Sequence, residues 1–177
     1  MTLSLQVRLL LAALLVLMVF TGLTGLALDK AFRQSAETAL QDRLQGYLYA
    51  LLAAVDVDDG GTPRFSRNLP DARFERPGSG LYASIKNTDN QAVLNSRSLL
   101  GNRLPAQVTA PLGQYQYEPL MLNDIPHYRL SYSVRWELDV EQAYRLNFQL
   151  VEDMQSYQQQ ITIYRRNLWG WLGAAMV

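Results

Sequence analysis

The sequence predicts an α+β fold, in which an antiparallel sheet of about five strands lies between two helices rooted in a membrane. Three observations lead to this prediction. An uncharged apolar run of 20 residues lies near the N-terminus, apolar and polar residues alternate in the second half of the chain, and a shorter apolar run ends it. The chain has 177 residues, the length of one ordinary domain with additional helices.

The composition excludes several classes of site. There is no cysteine, which rules out a disulfide scaffold, a thiolate zinc site, an iron–sulfur site and a cysteine nucleophile. The single histidine, His127, rules out a two-histidine metal site within one chain. Acidic and basic residues balance at 16 each, so no net charge directs the protein to nucleic acid, and we expect no nucleic-acid partner.

Residues 9–28, LLLAALLVLMVFTGLTGLAL, form the long apolar run. A helix of that length covers about 30 Å, the hydrocarbon thickness of a bilayer. We predict a first transmembrane helix over 9–28, with residues 1–8 in the cytoplasm, because a long following segment is translocated largely regardless of its charge. A cleaved signal peptide is the alternative, since Gly25 and Ala27 place small residues at positions −3 and −1 of a cleavage site.

Residues 168–177, LWGWLGAAMV, repeat the apolar signal in shorter form. Ten helical residues cover about half a bilayer, which predicts the start of a second transmembrane helix that is truncated here. A short apolar tail folded onto the domain is the alternative. The predicted anchors at the membrane interface are Arg8, Arg165, Arg166, Trp169 and Trp171.

An amphipathic entry helix is predicted over 29–55, continuous with the membrane run. Its apolar stripe steps by three and four residues and consists of Phe32, Ala36, Leu40, Leu44, Tyr47, Leu51 and Val55. Turn formers at 56–61 end it, and the segment 62–80, rich in proline and glycine, is predicted as a surface loop that contains at most a short helix.

From Leu81 the apolar period changes to two, which predicts a sheet over about 81–151. The clearest strand is 128–141, where Tyr132, Val134 and Trp136 should lie on the buried face and Arg135 on the wet face. Short connections predict an antiparallel meander with one apolar face, which the two helices cover.

An exit helix is predicted over 153–167. Met154, Tyr157, Ile161, Tyr164 and Leu168 form its signalling seam, with the heptad spacing of a helix that packs on a partner. That partner is either the same helix of a second subunit or the entry helix. Plain packing onto the domain explains the same stripe equally well.

Weak candidates for binding sites lie in the loops. Asp56, Asp58 and Asp59 offer hard oxygen ligands for Ca²⁺ or Mg²⁺, but the later glutamate of an EF-hand loop is lacking, so a solvated loop is favoured and no metal site is assigned. His127 has the chemistry of a pH switch, although its place at a strand start favours a surface residue.

Two further patterns resemble anion sites. The residues 78–83, GSGLYA, match G-x-G-x-x-A, but a strand rather than a helix follows them, so we assign no nucleotide or other cofactor site and no catalytic residue. Arginines in the loop have the chemistry to attract an anionic ligand, although a solvated loop is favoured; they are Arg64, Arg67, Arg73 and Arg76.

The predicted architecture is typical of PAS-like (PDC/Cache-type) periplasmic sensor domains. The segments SLQVRLLLAALLVLMVFTGLTGLALDKAF, LQDRLQGYLYALLAA and GLYASI, with YRLNFQLVEDMQSYQQQITIYRRNLWGWL at the end, resemble the N-terminal region of bacterial two-component sensor histidine kinases of the PhoQ-like type. The resemblance covers essentially the whole chain. One departure is that the dense acidic surface of cation-sensing members is replaced by scattered acids: Glu137, Asp139, Glu141, Glu152 and Asp153.

The resemblance implies a homodimer in the bacterial inner membrane that binds a periplasmic ligand of unknown identity. It also implies kinase domains after Val177 that use ATP and Mg²⁺ and address a cytoplasmic response regulator. A chemoreceptor or a cyclic-dinucleotide enzyme has the same outer layout. A pilin-like structural subunit also joins an apolar helix to an antiparallel sheet, but leaves the second apolar run unexplained.

Overall fold

The structure is a computed structural model that describes residues 4–105, 108–139 and 142–174. The chain forms two compact units. One comprises Met1–Thr38 with Ser156–Val177, and the other comprises Ala39–Gln155. The predicted turn at Glu141 and the strand end at Val140 lie outside the described residues, as does the side chain of Tyr157.

Helix α1 runs without interruption from Leu5 to Ala54, which confirms the prediction of one continuous helix from the apolar run into the amphipathic stripe. It is long and apolar enough to cross a membrane, a property that signal sequences share. In the unit Ala39–Gln155 its buried side chains are Leu40, Leu44, Leu48 and Leu51.

Within the described residues, seven strands follow: β1 (Val55–Val57), β2 (Pro63–Phe65), β3 (Leu81–Asn87), β4 (Val93–Asn95), β5 (Tyr115–Leu122), β6 (Ile125–Glu137) and β7 (Ala143–Asp153). Short 3₁₀ helices span Ala72–Glu75 and Arg97–Leu99. Strands β1 and β2 form a separate antiparallel pair, and the other five form one antiparallel sheet in the order β4-β3-β7-β6-β5.

The five-stranded sheet was predicted, but its meander order is wrong. The last strand, β7, pairs with the first strand, β3, in the centre of the sheet. Both strands are buried on both faces along most of their length, so they suit internal rather than edge positions. Between β4 and β5, residues 96–105 and 108–114 lie over the face of the sheet opposite α1, and we call them the crossing segment. Strand β5 lies at the edge of the sheet opposite β4.

The apolar face of the sheet packs against α1, one of the two helices that were predicted to cover it. Its fully buried residues include Leu81, Ile85, Leu130, Leu146, Phe148 and Leu150. Tyr132, Val134 and Trp136 lie on this side and are partly buried. The opposite face is exposed towards its ends, at Arg135 and Glu137 of β6, at Arg145 of β7 and at Val93 and Asn95 of β4. At its centre the prediction of a wet face is wrong, because the crossing segment covers it.

Helix α2 spans Gln155–Ala174. It begins two residues later than predicted because β7 continues to Asp153. Within its unit, the ring of Tyr164 stacks on that of Phe32 at 3.8 Å between centroids, and Arg165 pairs with Asp29 at 3.2 Å. One residue of the predicted signalling seam therefore contacts the apolar stripe of the entry helix.

Candidate functional site

A buried carboxylate stands at the end of the last strand of the sheet. The side chain of Glu152 is only 3% exposed, and two arginines from distant parts of the chain bind it. Arg43 Nε of α1 donates to Glu152 Oε2 at 3.1 Å, and Arg73 Nη1 of the first 3₁₀ helix donates to Glu152 Oε1 at 3.0 Å. Two charged partners are what a carboxylate needs to remain ionised when it is removed from water.

Local sequence explains how these groups meet. Glu152 continues the row of Leu146, Phe148 and Leu150, since alternate residues of a strand share a face, so it points towards α1. Arg73 is placed by a helix cap, because Asp71 Oδ1 accepts the Arg73 backbone amide at 2.8 Å.

Asp71 and Tyr47 complete what we call the junction cluster: Arg43, Tyr47, Asp71, Arg73 and Glu152. Tyr47 Oη donates to Asp71 Oδ2 at 2.8 Å and accepts from Arg73 Nη2 at 2.8 Å. The Arg73 backbone amide, then the Tyr47 hydroxyl and the Arg73 guanidinium, lower the pKa of Asp71 to about 2. The formal charges of the cluster cancel, since two arginines face two carboxylates.

A second set of polar contacts links α1 to the sheet. Side chains of α1 at intervals of four residues meet tyrosine hydroxyls of β5 and β6. The pairs are Gln41 with Tyr128 at 3.1 Å, Gln45 with Tyr117 at 2.6 Å and Tyr49 with Tyr115 at 2.5 Å. The hydrogen bond with Tyr49 raises the pKa of Tyr115 to about 12. The sequence carries a signal for this stripe in the spacing 41–45–49, but the residues are polar or aromatic and do not belong to an apolar period.

The prediction that His127 lies on the surface is wrong. Its side chain is buried on the face expected to be wet, with 2% of its surface exposed. Its Nδ1 lies 2.8 Å from the Ile125 carbonyl oxygen, and its ring centroid is 5.8 Å from that of Tyr82.

The weak metal candidates do not come together as ligands. Asp58 accepts the backbone amides of Gly60 and Thr62 and pairs with Arg64 at 2.7 Å, so its oxygens are occupied by the turn itself. Asp56 accepts the backbone amide of Val57. Across the described part of the chain, no three histidine, aspartate or glutamate side chains form a group that could hold a metal ion.

The two anion-like patterns have structural roles. The GSGLYA segment is followed by β3, so it presents no helix N-terminus to a phosphate. Gly80, at φ +82°, lies against the Asp153 side chain where a Cβ atom would collide. The solvated-loop interpretation fails for Arg73, which binds Asp71 and the buried Glu152. It holds for the exposed Arg64, Arg67 and Arg76, although Arg64 also pairs with Asp58.

Comparisons with models of protein families, with curated proteins and with solved structures find no match to this chain.

Proposed function

We propose that this chain is the sensing and membrane-anchoring part of a two-component sensor histidine kinase of the PhoQ-like type, with a PAS-like (PDC/Cache-type) sensor domain. The observation that carries the proposal is the junction cluster. Glu152 stands three residues before the start of α2, and it is held by arginines from α1 and from the loop before β3. A change in the sheet that alters this carboxylate therefore acts directly on the residues that lead into α2.

In this proposal a ligand binds one arrangement of the domain more tightly than another, and α2 relays the difference to kinase domains that use ATP and Mg²⁺. Moving two states from 1:99 to 99:1 requires about 5.5 kcal/mol of differential binding. Ion pairs with exchangeable partners are suited to such a shift, because Glu152 can keep one arginine while it releases the other. The protein acts as a homodimer in the inner membrane and addresses a response regulator.

The most direct test uses the full-length protein and a transcriptional reporter of the response regulator. Glu152→Gln keeps the shape of the side chain and removes its charge, so it should change basal output without ligand. Arg43→Gln and Arg73→Gln should shift output in the same direction. Glu137→Gln is the matched control, since Glu137 is exposed and its contact with Arg135 at 3.5 Å is weak.

At matched protein levels, equal outputs from Glu152→Gln and Glu137→Gln would remove the junction cluster from the signalling path. The seam of α2 is tested in the same assay. Ile161→Ala should shift basal output, whereas Gln159→Ala, at an exposed position of the same helix, should not.

The proposed topology places the N-terminus in the cytoplasm and residues 29–167 in the periplasm, with residues 9–28 of α1 as the first span and residues 168–177 as the start of the second. The exposed Trp169 and Trp171 suit a membrane interface. A cysteine at the exposed Ser66 should react with an impermeant reagent in intact cells, and a cysteine at Ser4 should react only after the inner membrane is breached. The reverse labelling pattern contradicts the topology.

The reading frame beyond Val177 provides the test of the family. It should encode a helical hairpin with a phosphoacceptor histidine, followed by an ATP-binding domain. A methyl-accepting helical bundle or a cyclic-dinucleotide domain in that place would instead assign the same sensor to a different class of receptor.

A further inference from the structure

The covered face of the sheet contains a buried row of uncharged polar side chains. Strand register places Ser84 of β3, Gln149 of β7, Ser131 of β6 and Gln116 of β5 side by side. Ser84, Ser131 and Gln149 are at most 2% exposed. Polar residues are seldom fully buried unless they have partners, so the partners of this row can be examined one by one.

The crossing segment supplies some of them. The Val108 carbonyl oxygen accepts Asn147 Nδ2 and Gln149 Nε2, each at 3.1 Å, and Ser133 Oγ donates to Asn147 Oδ1 at 3.3 Å. Leu99 and Leu104 of the same segment pack near Tyr82 and Val151. These contacts hold the segment over the sheet and enclose the row beneath it.

Two side-chain oxygen atoms lie at the centre of the row. Ser131 Oγ and Gln149 Oε1 are buried, and neither finds a hydrogen-bond partner among the described residues. Their residues are direct cross-strand neighbours on one face, so one small molecule bound over this pair would face both residues. Gln149 Oε1 only accepts hydrogen bonds, whereas a serine hydroxyl both donates and accepts.

The charges near the row determine what kind of molecule fits. Arg129 and Glu118, in the next row of the sheet, form an ion pair with each other, and Lys86 lies in the row on the other side, opposite Asn147. The central row itself carries no charge. An anion without an N–H or O–H group leaves Gln149 Oε1 unsatisfied, and a metal cation finds no carboxylate in the row.

We infer that this row is a binding site for a small uncharged molecule with both a hydrogen-bond donor and an acceptor, of which a primary amide is the simplest kind. Its N–H group would donate to Gln149 Oε1, and its carbonyl oxygen would accept from Ser131 Oγ. The inference rests on the proposed function only for its consequence for signalling, because it names the ligand class of the sensor. Binding itself is measured on the purified chain.

The test uses the full chain in detergent micelles, with side-chain amide resonances followed by NMR and Gln149 assigned from the Gln149→Met variant. Acetamide should shift the Gln149 resonance in a saturable way. Sodium acetate, which has the same size but carries charge and has no donor, should not. Ser131→Ala should weaken acetamide binding about tenfold, the effect of one buried hydrogen bond. Ser133→Ala, the matched control, should bind within about twofold of the wild type.

If acetamide does not saturate the shift at concentrations up to about 50 mM, a range that covers weak small-ligand affinities, the inference is overturned. An ordered water would then be the partner of the two atoms. Equal binding of acetate, or unchanged binding by Ser131→Ala with a native-like spectrum, would overturn it as well. None of these results affects the reporter experiment on Glu152, so failure of the ligand site and failure of the proposed function are separate outcomes.

Discussion

At its centre, the five-stranded sheet is equally buried on both faces, but the buried side chains are apolar on one face and polar on the other. Beneath α1, Leu146, Phe148 and Leu150 of β7 are fully buried among apolar neighbours. Beneath the crossing segment, Asn147 and Gln149 of the same strand are buried just as completely. Burial of the first set stabilises the fold in proportion to apolar area, whereas burial of the second set is compensated only where hydrogen bonds replace water.

The two sets of side chains of β7 therefore differ in what they contribute. Those on the apolar face stabilise the fold, whereas those on the polar face offer the hydrogen-bonding groups of the proposed ligand site. Each face also holds one buried charge. Glu152 ends the apolar row, where Arg43 and Arg73 bind it, and Arg129 lies on the polar face beside Glu118. A ligand at Gln149 would therefore lie three residues from the carboxylate that precedes α2.

The largest effect is expected on the apolar face. Phe148→Ala should lower the free energy of unfolding by about 3–5 kcal/mol, because it opens a cavity at a fully buried position. Trp136→Ala should cost less, about 1–2 kcal/mol, since Trp136 is only partly buried at the edge of the same core. Urea unfolding of the full chain in detergent measures both. Equal losses would mean that the apolar face has no fully buried centre.

Next in size is the junction cluster. Arg73→Ala should destabilise the protein by about 2 kcal/mol, because it leaves the buried Glu152 with a single arginine and removes one partner of Asp71. Arg64→Ala is the control, since the Arg64–Asp58 pair has a similar distance but an exposed arginine, and it should stay within about 0.5 kcal/mol. If the two variants lose the same free energy of unfolding, the ion pair with the buried Glu152 stabilises the protein no more than a surface ion pair does.

Sequence patterns predicted the local elements of this fold and missed its long-range pairing. The stripe at Leu40, Leu44 and Leu51 and the alternation around Trp136 report on neighbours a few residues away, so α1 and β6 were identified. The contacts of Glu152 with Arg43 and Arg73 join residues 109 and 79 positions apart, and no periodicity encodes such a distance.

The polar face shows a second reason for failure. Alternation at Ser131 and Ser133 predicts a wet face, because a polar side chain has the same sequence signal whether water or a buried partner satisfies it. What covers the face is the crossing segment, whose path also sets the strand order. The sequence misses the burial of His127 for the same reason, since nothing in the residues next to His127 indicates that its side chain is buried.

A smaller effect of the junction cluster is expected in the pH dependence of the free energy of unfolding. The pKa of Asp71 is about 2 in the folded protein and 3.8 in the reference state. Because the pKa of Asp71 is lower in the folded protein, its ionised carboxylate stabilises the fold at pH values above the pKa of the unfolded chain. This contribution is about 1 kcal/mol after solvent screening. It should be lost as the pH falls from about 4 to about 2. Unfolding of Asp71→Asn should lack that loss.

Tyr47→Phe is the graded control for this effect. It removes the hydroxyl that donates to Asp71 but leaves the backbone amide of Arg73 in place, so part of the pH dependence should remain. Wild-type and Asp71→Asn proteins with parallel stability curves between pH 4 and pH 2 would show that the hydrogen bonds to Asp71 do not favour its ionised form.

The smallest change in the free energy of unfolding is expected for Ser131→Ala, and its sign tests whether the Ser131 hydroxyl has a partner. Ser131→Ala removes a buried hydroxyl that has no partner among the described residues, so stability without ligand should stay unchanged or rise by up to about 0.5 kcal/mol. Ser133→Ala, two residues along the same face, removes the donor to Asn147 Oδ1 and should cost about 1 kcal/mol, because a buried acceptor loses its hydrogen bond. Both changes delete the same atom at equal burial, so differences in side-chain volume cancel. Urea unfolding in acetamide-free buffer compares them directly. Equal destabilisation would mean that the Ser131 hydroxyl is satisfied in the folded chain, and the polar face would then be a completed hydrogen-bond network with no place for a ligand.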